Sequence, residues 1–313
     1  MSSGVPGPCL VLAGAGHAHA QVLRAWARQP VPGVRLVVVS PITQAPYSGM
    51  VPGWLAGSYR FDEICIDFAA LCAAAGATLL VDEVAALDPD ARCITLASGA
   101  ALPYRWLSLN IGSTLRPPDD LGAPVLALRP LGSLHTAWQA MLDAHAADAS
   151  RQPLRLMAVG GGAAGVESLL AAHARLRMLQ PQRPVQASLV SRGTTLLPGI
   201  APGAVRAAHR ALQRIGTQLH LGTGCTPALA RGQHLLLWAT GAQAHAWQCD
   251  AARRGSLAVD DGGFLRVDAQ LQSLSHPGTV WAVGDCAAWA PPLPKAGVYA
   301  VRQGPVLAAA LRA

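Results

Sequence analysis

The chain has 313 residues, 51% of them hydrophobic and 13% charged, with a formal net charge of +7. That composition excludes a disordered chain and supplies enough apolar surface for two moderate domains. The basic surplus is scattered arginine: Lys295 is the sole lysine and Arg253–Arg254 the sole adjacent basic pair. The clustered positive face that a nucleic acid needs is therefore not expected.

In chain order, Leu10–Ala13 predicts a short buried strand running into Gly14-Ala15-Gly16-His17-Ala18-His19. A helix to about Gln29 and a second strand over Val34–Val39 follow. No basic residue precedes the first apolar run, so a secretory signal is not expected. Leu36–Tyr59 carries no charge and is long enough to span a bilayer. Its prolines (Pro41, Pro46, Pro52) and glycines (Gly49, Gly53, Gly57) exclude a continuous helix. Phe68–Val81 reads as a buried helix feeding a strand, and Trp106–Ile111 as a strand that stops at Gly112-Ser113.

Arg116-Pro117-Pro118-Asp119-Asp120 reads as a linker. Beyond it the first pattern returns, 146 residues on from Gly14 to Gly160. Leu156–Val159 leads into Gly160-Gly161-Gly162-Ala163-Ala164-Gly165, then an alanine-rich helix, then Val185–Val190. These are two strand–turn–helix–strand units whose continuous apolar strands suit parallel sheets covered on both faces. Leu235–Thr240 ends at Gly241 and Thr279–Val283 at Gly284-Asp285. A last helix starts near Val298, where Gly304-Pro305 predicts a kink or a fresh start.

A strand that ends in G-x-G-x-x-G and opens a helix offers backbone N–H groups and a positive helix end to a pyrophosphate. The second copy is complete, with Gly160, Gly162, Gly165 and the nearby Glu167; in the first, His19 stands where the third glycine is expected. That change alters helix–strand packing without removing the phosphate contacts of Gly14 and Gly16. The position at the end of the next strand, commonly an acid that holds a ribose, is Ser40 in one unit and Ser191 in the other. Serine exchanges a charge-assisted bond of about 1.5–3 kcal/mol for a neutral one of about 0.5–1.5 kcal/mol. Arg192, directly after Ser191, either binds a 2′-phosphate or is a solvated surface residue.

Nearly the whole chain resembles the two-dinucleotide-domain flavoproteins of the pyridine nucleotide–disulfide oxidoreductase superfamily. Leu10–His19 is similar to the FAD ADP-binding motif and Val159–Glu167 to the nicotinamide-nucleotide motif. Trp238-Ala239-Thr240-Gly241 resembles the Ala-Thr-Gly motif, with Ser108–Ser113, including Gly112, as its looser partner. Thr279–Asp285 resembles the second FAD motif, whose aspartate binds the ribityl chain. Tyr47–Gly53 and Pro294–Pro305 resemble the NADH-dehydrogenase-like branch often fused to selenophosphate synthetase, which also tends to carry Gly-His-x-His.

The resemblance implies an α/β fold of two Rossmann-like domains, glutathione-reductase-like, the second inserted in the first. The FAD-binding domain would be 1–116 and 250–313, and the NAD(P)-binding domain 117–249. It implies FAD and NAD(P)H as cofactors, hydride passage to flavin, and a small-molecule acceptor such as a quinone. FAD-site candidates are Gly14, Gly16, His17, Ser40, Gly112, Gly284, Asp285, Gly297 and Val298. Candidates for the nicotinamide nucleotide are Gly160, Gly162, Gly165, Ser191, Arg192 and Gly241. Lys295 reads as a charge beside the flavin pyrimidine or a solvated cation, and Glu167 as an acid near the nicotinamide or a helix-end charge. Tyr47 and Trp54 read equally as lining of an acceptor pocket or as packing anchors.

Cysteine chemistry is disfavoured. Pro41–Tyr59 contains no cysteine pair, and Ile94–Gly224 contains no cysteine. Cys65 and Cys72, seven apart, would lie two turns apart on one helix face, too far for a disulfide. His17 and His19 lack the further ligands a metal site needs, and Cys286 reads as packing. An odd cysteine count without a C-x-x-C pair fits a cytoplasmic protein. The alternative class is a non-catalytic nucleotide-binding redox sensor or partner domain linked to selenium metabolism. It draws on the absent ribose acids and on the 28 residues (286–313) after Asp285, a shorter ending than the related enzymes have. A homodimer and selenophosphate synthetase are the protein partners this resemblance offers.

Overall fold

The computed structural model describes residues 7–312. The sheets and their helices run, in chain order, β1 (Cys9–Ala13), α1 (His17–Arg28), β2 (Arg35–Ser40), α2 (Val51–Leu55), α3 (Phe68–Ala75), β3 (Thr78–Val81) and β4 (Trp106–Leu109). Then come β5 (Val125–Ala127), α4 (Leu131–Ala147), β6 (Leu154–Val159), α5 (Ala163–Leu179), β7 (Val185–Ser191) and α6 (Pro202–Arg214). The order closes with β8 (Gln218–Leu221), β9 (Leu235–Trp238), β10 (Val280–Ala282) and α7 (Gly297–Ala310).

The chain divides into two compact units. Among the described residues, unit 1 is 7–45, 65–114 and 242–312; unit 2 is 46–64 and 115–241. Each holds a five-stranded parallel sheet, ordered β10-β4-β1-β2-β3 in unit 1 and β5-β9-β6-β7-β8 in unit 2. In both, the strand before the glycine turn is central. Leu12 pairs with Val38 on one side and Ser108 on the other, and Met157 with Ser188 and Leu236. Both units therefore have the α/β architecture of Rossmann-like dinucleotide-binding domains, with the glycine turn at the carboxyl end of the strand where the order reverses.

The apolar runs follow from coverage of both sheet faces. On β1, Leu10 and Leu12 pack with Leu23, Trp26 and Phe68, while Val11 and Ala13 pack with Ile94, Leu107 and Val280. In unit 2, Leu156 and Ala158 face Trp138 and Leu169, and Met157 and Val159 face Val190 and Trp238. Each fully buried leucine contributes about 1.5–3 kcal/mol.

Three local features differ from the sequence expectations. Cys65 lies in a short strand (Cys65–Asp67), because the Asp67 side chain accepts from the Ala70 N–H at 2.9 Å and starts α3 only there. Cys65 and Cys72 thus do not share a helix, and the cysteines are free. Second, α7 runs unbroken through Pro305. The carbonyl of Val301, which a non-proline residue at 305 would satisfy, accepts instead from Gln21 Nε2 at 2.6 Å. Gly304 leaves room for that amide, since a Cβ there would lie 2.6 Å from the Gln21 side chain. Third, residues 46–64 join unit 2, where Val51, Trp54 and Leu55 enter the core with α5 residues.

The second boundary also moves. Unit 1 resumes at Ala242, where Thr114 bridges Gln243 and the His245 Nε2–H donates to the Ile111 carbonyl at 3.0 Å. No helix among the described residues is long and apolar enough to cross a membrane.

Candidate functional site

In unit 1 the glycine turn is built against the end of β4. Gly14 has φ +102°, and a Cβ on Gly14 or Gly16 would run into Asn110. The Asn110 carboxamide takes up the start of α1: its Oδ1 accepts from the N–H of Ala18 at 3.1 Å and of His19 at 3.4 Å. The amides of Ala15 and Gly16, ahead of them, take no protein acceptor among the described residues. Unpartnered N–H groups at the start of a twelve-residue helix fit an anionic pyrophosphate.

His19 occupies the third-glycine position and is fully buried. Its Nδ1–H donates to the Gly14 carbonyl at 2.7 Å, which leaves Nε2 to accept from Ser108 Oγ at 2.9 Å. Burial lowers its pKa to about 4, against a smaller opposing effect of the Gly14 carbonyl, and keeps the ring neutral. In unit 2 the same position is Gly165, where a Cβ would strike the Gly160 carbonyl. One carbonyl is thus approached by the absence of a side chain in one unit and grasped by an imidazole in the other.

The turn after β10 lies on the same side of the unit 1 sheet. Asp285 Oδ2 accepts from Ser113 Oγ at 3.3 Å. Asp285 is also close enough to His17 to oppose the downward shift that burial imposes on the His17 pKa. Gly284, at φ +69°, donates its N–H to Gln303 Oε1 at 2.7 Å. Gly112 also has positive φ, +72°, and a Cβ there would meet nothing within 4 Å. Gly297 and the exposed Val298 open α7. Lys295 is not simply solvated: Nζ donates to the Ala287 carbonyl at 2.6 Å and lies 3.7 Å from the Phe264 ring centroid. Ser40 is buried, its Oγ donating to the Ile42 carbonyl at 2.8 Å and accepting from the Ile42 N–H at 3.2 Å.

In unit 2, Gly160 has φ +127° and its N–H is held by the Val190 carbonyl at 2.8 Å. Around Gly162 a Cβ would find nothing within 4 Å, so the middle glycine faces open space at the start of α5. Ser191 Oγ accepts from the Gly193 N–H at 3.2 Å, and Arg192 beside it is exposed. Gly241, at φ +50°, is also open. Glu167 lies on the exposed face of α5, yet surrounding protein raises its carboxyl pKa through desolvation.

Trp54 is a packing anchor, in edge contact with Phe61 at 5.3 Å and near His135; Tyr47 is exposed. Cys286 is fully buried and its Sγ donates to the carbonyls of Leu109 and Val283. Burial pushes its thiol pKa up to about 11, so it is no thiolate nucleophile. No group of three or more potential metal ligands occurs among the described residues. Asn110, Ser113 and Gln303 carried no separate role in the sequence. The signal for Asn110 was polarity at alternate positions, Ser108 and Asn110, at the end of a buried strand.

Two Rossmann-like sheets, each with a glycine turn where the strand order reverses, define a two-domain dinucleotide-binding α/β protein. The family model for pyridine nucleotide-disulphide oxidoreductases matches residues 9–304, and the chain belongs to that family, one of FAD- and NAD(P)H-binding oxidoreductases. No curated protein matches the chain. Among solved structures, reduced CoADR-RHD of Bacillus anthracis superimposes with a TM-score of 0.76 at 16% identity, over 98% of this chain and 57% of that one. The sulfide:quinone oxidoreductase of Aquifex aeolicus gives 0.75 at 15% identity, over 97% of this chain and 76% of that one. NADH:rubredoxin oxidoreductase of Clostridium acetobutylicum gives 0.73 at 18%, over 96% and 74%. At these identities the likeness is one of fold. The chain spans little more than half the length of the first of them.

Proposed function

We propose that the protein is an FAD-dependent NAD(P)H oxidoreductase, with FAD held by unit 1 and the nicotinamide nucleotide by unit 2. The supporting observation is the repeated glycine turn at the carboxyl end of the central strand of each sheet. When bound, FAD would take hydride from NAD(P)H and return two electrons to an acceptor. Gly14 and the amides of Ala15 and Gly16, just ahead of α1, would hold the pyrophosphate, and Asp285, oriented by Ser113, the ribityl hydroxyls. Gly112, Gly284 and His17 would border the same site, and Ser40 would lie at its ribose end. Lys295 and the amides of Gly297 and Val298 would stabilise negative charge developing on the flavin.

In unit 2, Gly160, Gly162 and Gly165 would admit the second pyrophosphate, with Ser191, Arg192 and Gly241 around the nucleotide. Glu167 would orient the nicotinamide. A quinone is the acceptor class the NADH-dehydrogenase-like resemblance suggests. The cysteine chemistry of disulfide reduction is not proposed, since Cys286 is buried with a raised pKa and no thiol pair is bonded.

The test is anaerobic titration of FAD-loaded protein with NADH and then NADPH, followed in the visible spectrum. Bleaching of the flavin band is the expected result; preference for NADPH would assign Arg192 to the 2′-phosphate. A bound flavin that neither nucleotide bleaches would overturn the oxidoreductase reading and favour a non-catalytic redox sensor. The hydroxyl of Ser40 favours that second reading, because it stands in place of the usual acid and donates its proton to the Ile42 carbonyl rather than to a ribose. A partnership with selenophosphate synthetase rests on the sequence resemblance alone, and co-purification under native conditions tests it.

A further inference from the structure

Val283 and Gly284 share a peptide group that is held at both ends by side-chain amides. Asn110 Nδ2 donates to the Val283 carbonyl at 3.1 Å, and Gln303 Oε1 accepts from the Gly284 N–H at 2.7 Å. Both side chains are buried, Asn110 at 4% and Gln303 at 8% exposure. Asn110 simultaneously accepts from Ala18 and His19 at the start of α1. Its amide orientation follows from the partners: only oxygen can face two N–H groups and only nitrogen can face a carbonyl.

Three segments remote in sequence therefore meet on one carboxamide: the glycine turn, the end of β4, and the peptide that precedes Asp285. The glycines around it are fitted to Asn110. A Cβ on Gly284 would lie 2.8 Å from Nδ2, and a Cβ on Gly14 or Gly16 would also strike this residue. A buried network satisfied in this way fixes one geometry, because any displacement leaves a desolvated donor or acceptor unpaired.

We propose that Asn110 and Gln303 are positioning residues for FAD: they set the spacing between the pyrophosphate turn and the Asp285 carboxylate, and so the affinity for the intact dinucleotide. This rests on the reading of unit 1 as the FAD domain. Asn110 supplies the link between the two segments, and Gln303 fixes the rotation of the Val283–Gly284 peptide, one residue ahead of Asp285. Neither needs to touch the ligand.

The test measures FAD affinity by fluorescence quenching on titration of apoprotein. The proteins are wild type, Gln303→Met, Gln303→Glu and Asn110→Leu, each checked for a cooperative melt. Gln303→Met keeps the side-chain volume and removes the acceptor, so FAD affinity should fall at least tenfold. Amide exchange at Gly284 should accelerate in the same apoprotein. Gln303→Glu restores an acceptor oxygen and should stay within about threefold of wild type. Asn110→Leu should lose at least as much affinity as Gln303→Met; should it fail to fold, the glutamine pair decides alone. Faster exchange at Gly284 with unchanged FAD affinity would overturn the proposal, as would equal loss in Gln303→Met and Gln303→Glu. Wild-type protein that takes up no FAD would instead remove the underlying reading, a distinct outcome.

Discussion

His19 and Ser108 are joined by a 2.9 Å hydrogen bond between Nε2 and Oγ, beneath the turn where a third glycine would ordinarily stand. The bond requires a neutral ring, and burial supplies one by lowering the pKa from 6.5 to about 4. The unfolded chain then binds a proton that the folded chain refuses, so stability falls as pH drops below 6.5 and the loss levels off near 4. Across that window the contribution amounts to about 3 kcal/mol. Urea midpoints of wild type and His19→Gln between pH 7 and 4.5 should converge on acidification. Parallel curves would mean that His19 titrates normally.

Gly162 and Gly165 separate a binding role from a packing role within one turn. Gly162→Ala adds a methyl group to open space and should leave the melting temperature within about 2 °C. The same methyl group would occupy the pyrophosphate approach and weaken NAD(P)H binding roughly tenfold, about 1.4 kcal/mol. Gly165→Ala drives its Cβ into the Gly160 carbonyl and should cost about 1–3 kcal/mol of stability. Calorimetric melting and nucleotide titration on the two variants check both statements.

Asp285→Ala removes the carboxylate that Ser113 orients. A charged hydrogen-bonding group of this kind is worth about 2 kcal/mol, or roughly thirtyfold in affinity. The flavin-to-protein ratio after reconstitution and gel filtration should fall accordingly. Full flavin content in this variant would contradict the FAD assignment.

Much of this geometry was legible in the sequence, and particular residues show where legibility stopped. The glycine turns were readable because a strand, a turn and a helix are contiguous and their apolar runs mark burial on both sheet faces. The contacts made by Asn110 were not, since its partners lie at Ala18, His19 and Val283. The unbroken α7 depended on Gln21, 280 residues before Val301. Residues 46–64 looked like part of the first domain because they sit inside its sequence; the packing of Val51, Trp54 and Leu55 with α5 residues, which only tertiary structure reveals, places them in unit 2. Serine at position 40 suggested a ribose contact, but serine equally favours a local bond to the backbone two residues on, and the bond to Ile42 takes that second course.

Lys295→Met removes the bond to the Ala287 carbonyl and the cation over Phe264. A stability loss of about 1–2 kcal/mol is expected from chemical denaturation. If the same charge also serves the flavin, losing about 1 kcal/mol of interaction makes the two-electron potential more negative by about 20 mV. Spectroelectrochemistry on the loaded variant reads that shift, and an unchanged potential would leave Lys295 a purely structural residue.

The outer edge of β4 has consequences during synthesis. Its partner β10 begins at Val280, so the ribosome must add all of 115–241 and more before Trp106–Leu109 can be covered. At about 5–20 residues per second, that edge stays unpaired for roughly 10–30 s. An exposed, apolar strand edge for that long invites pairing with other nascent chains. Slower accumulation at lower temperature, or holding chaperones in excess, should therefore raise the folded yield.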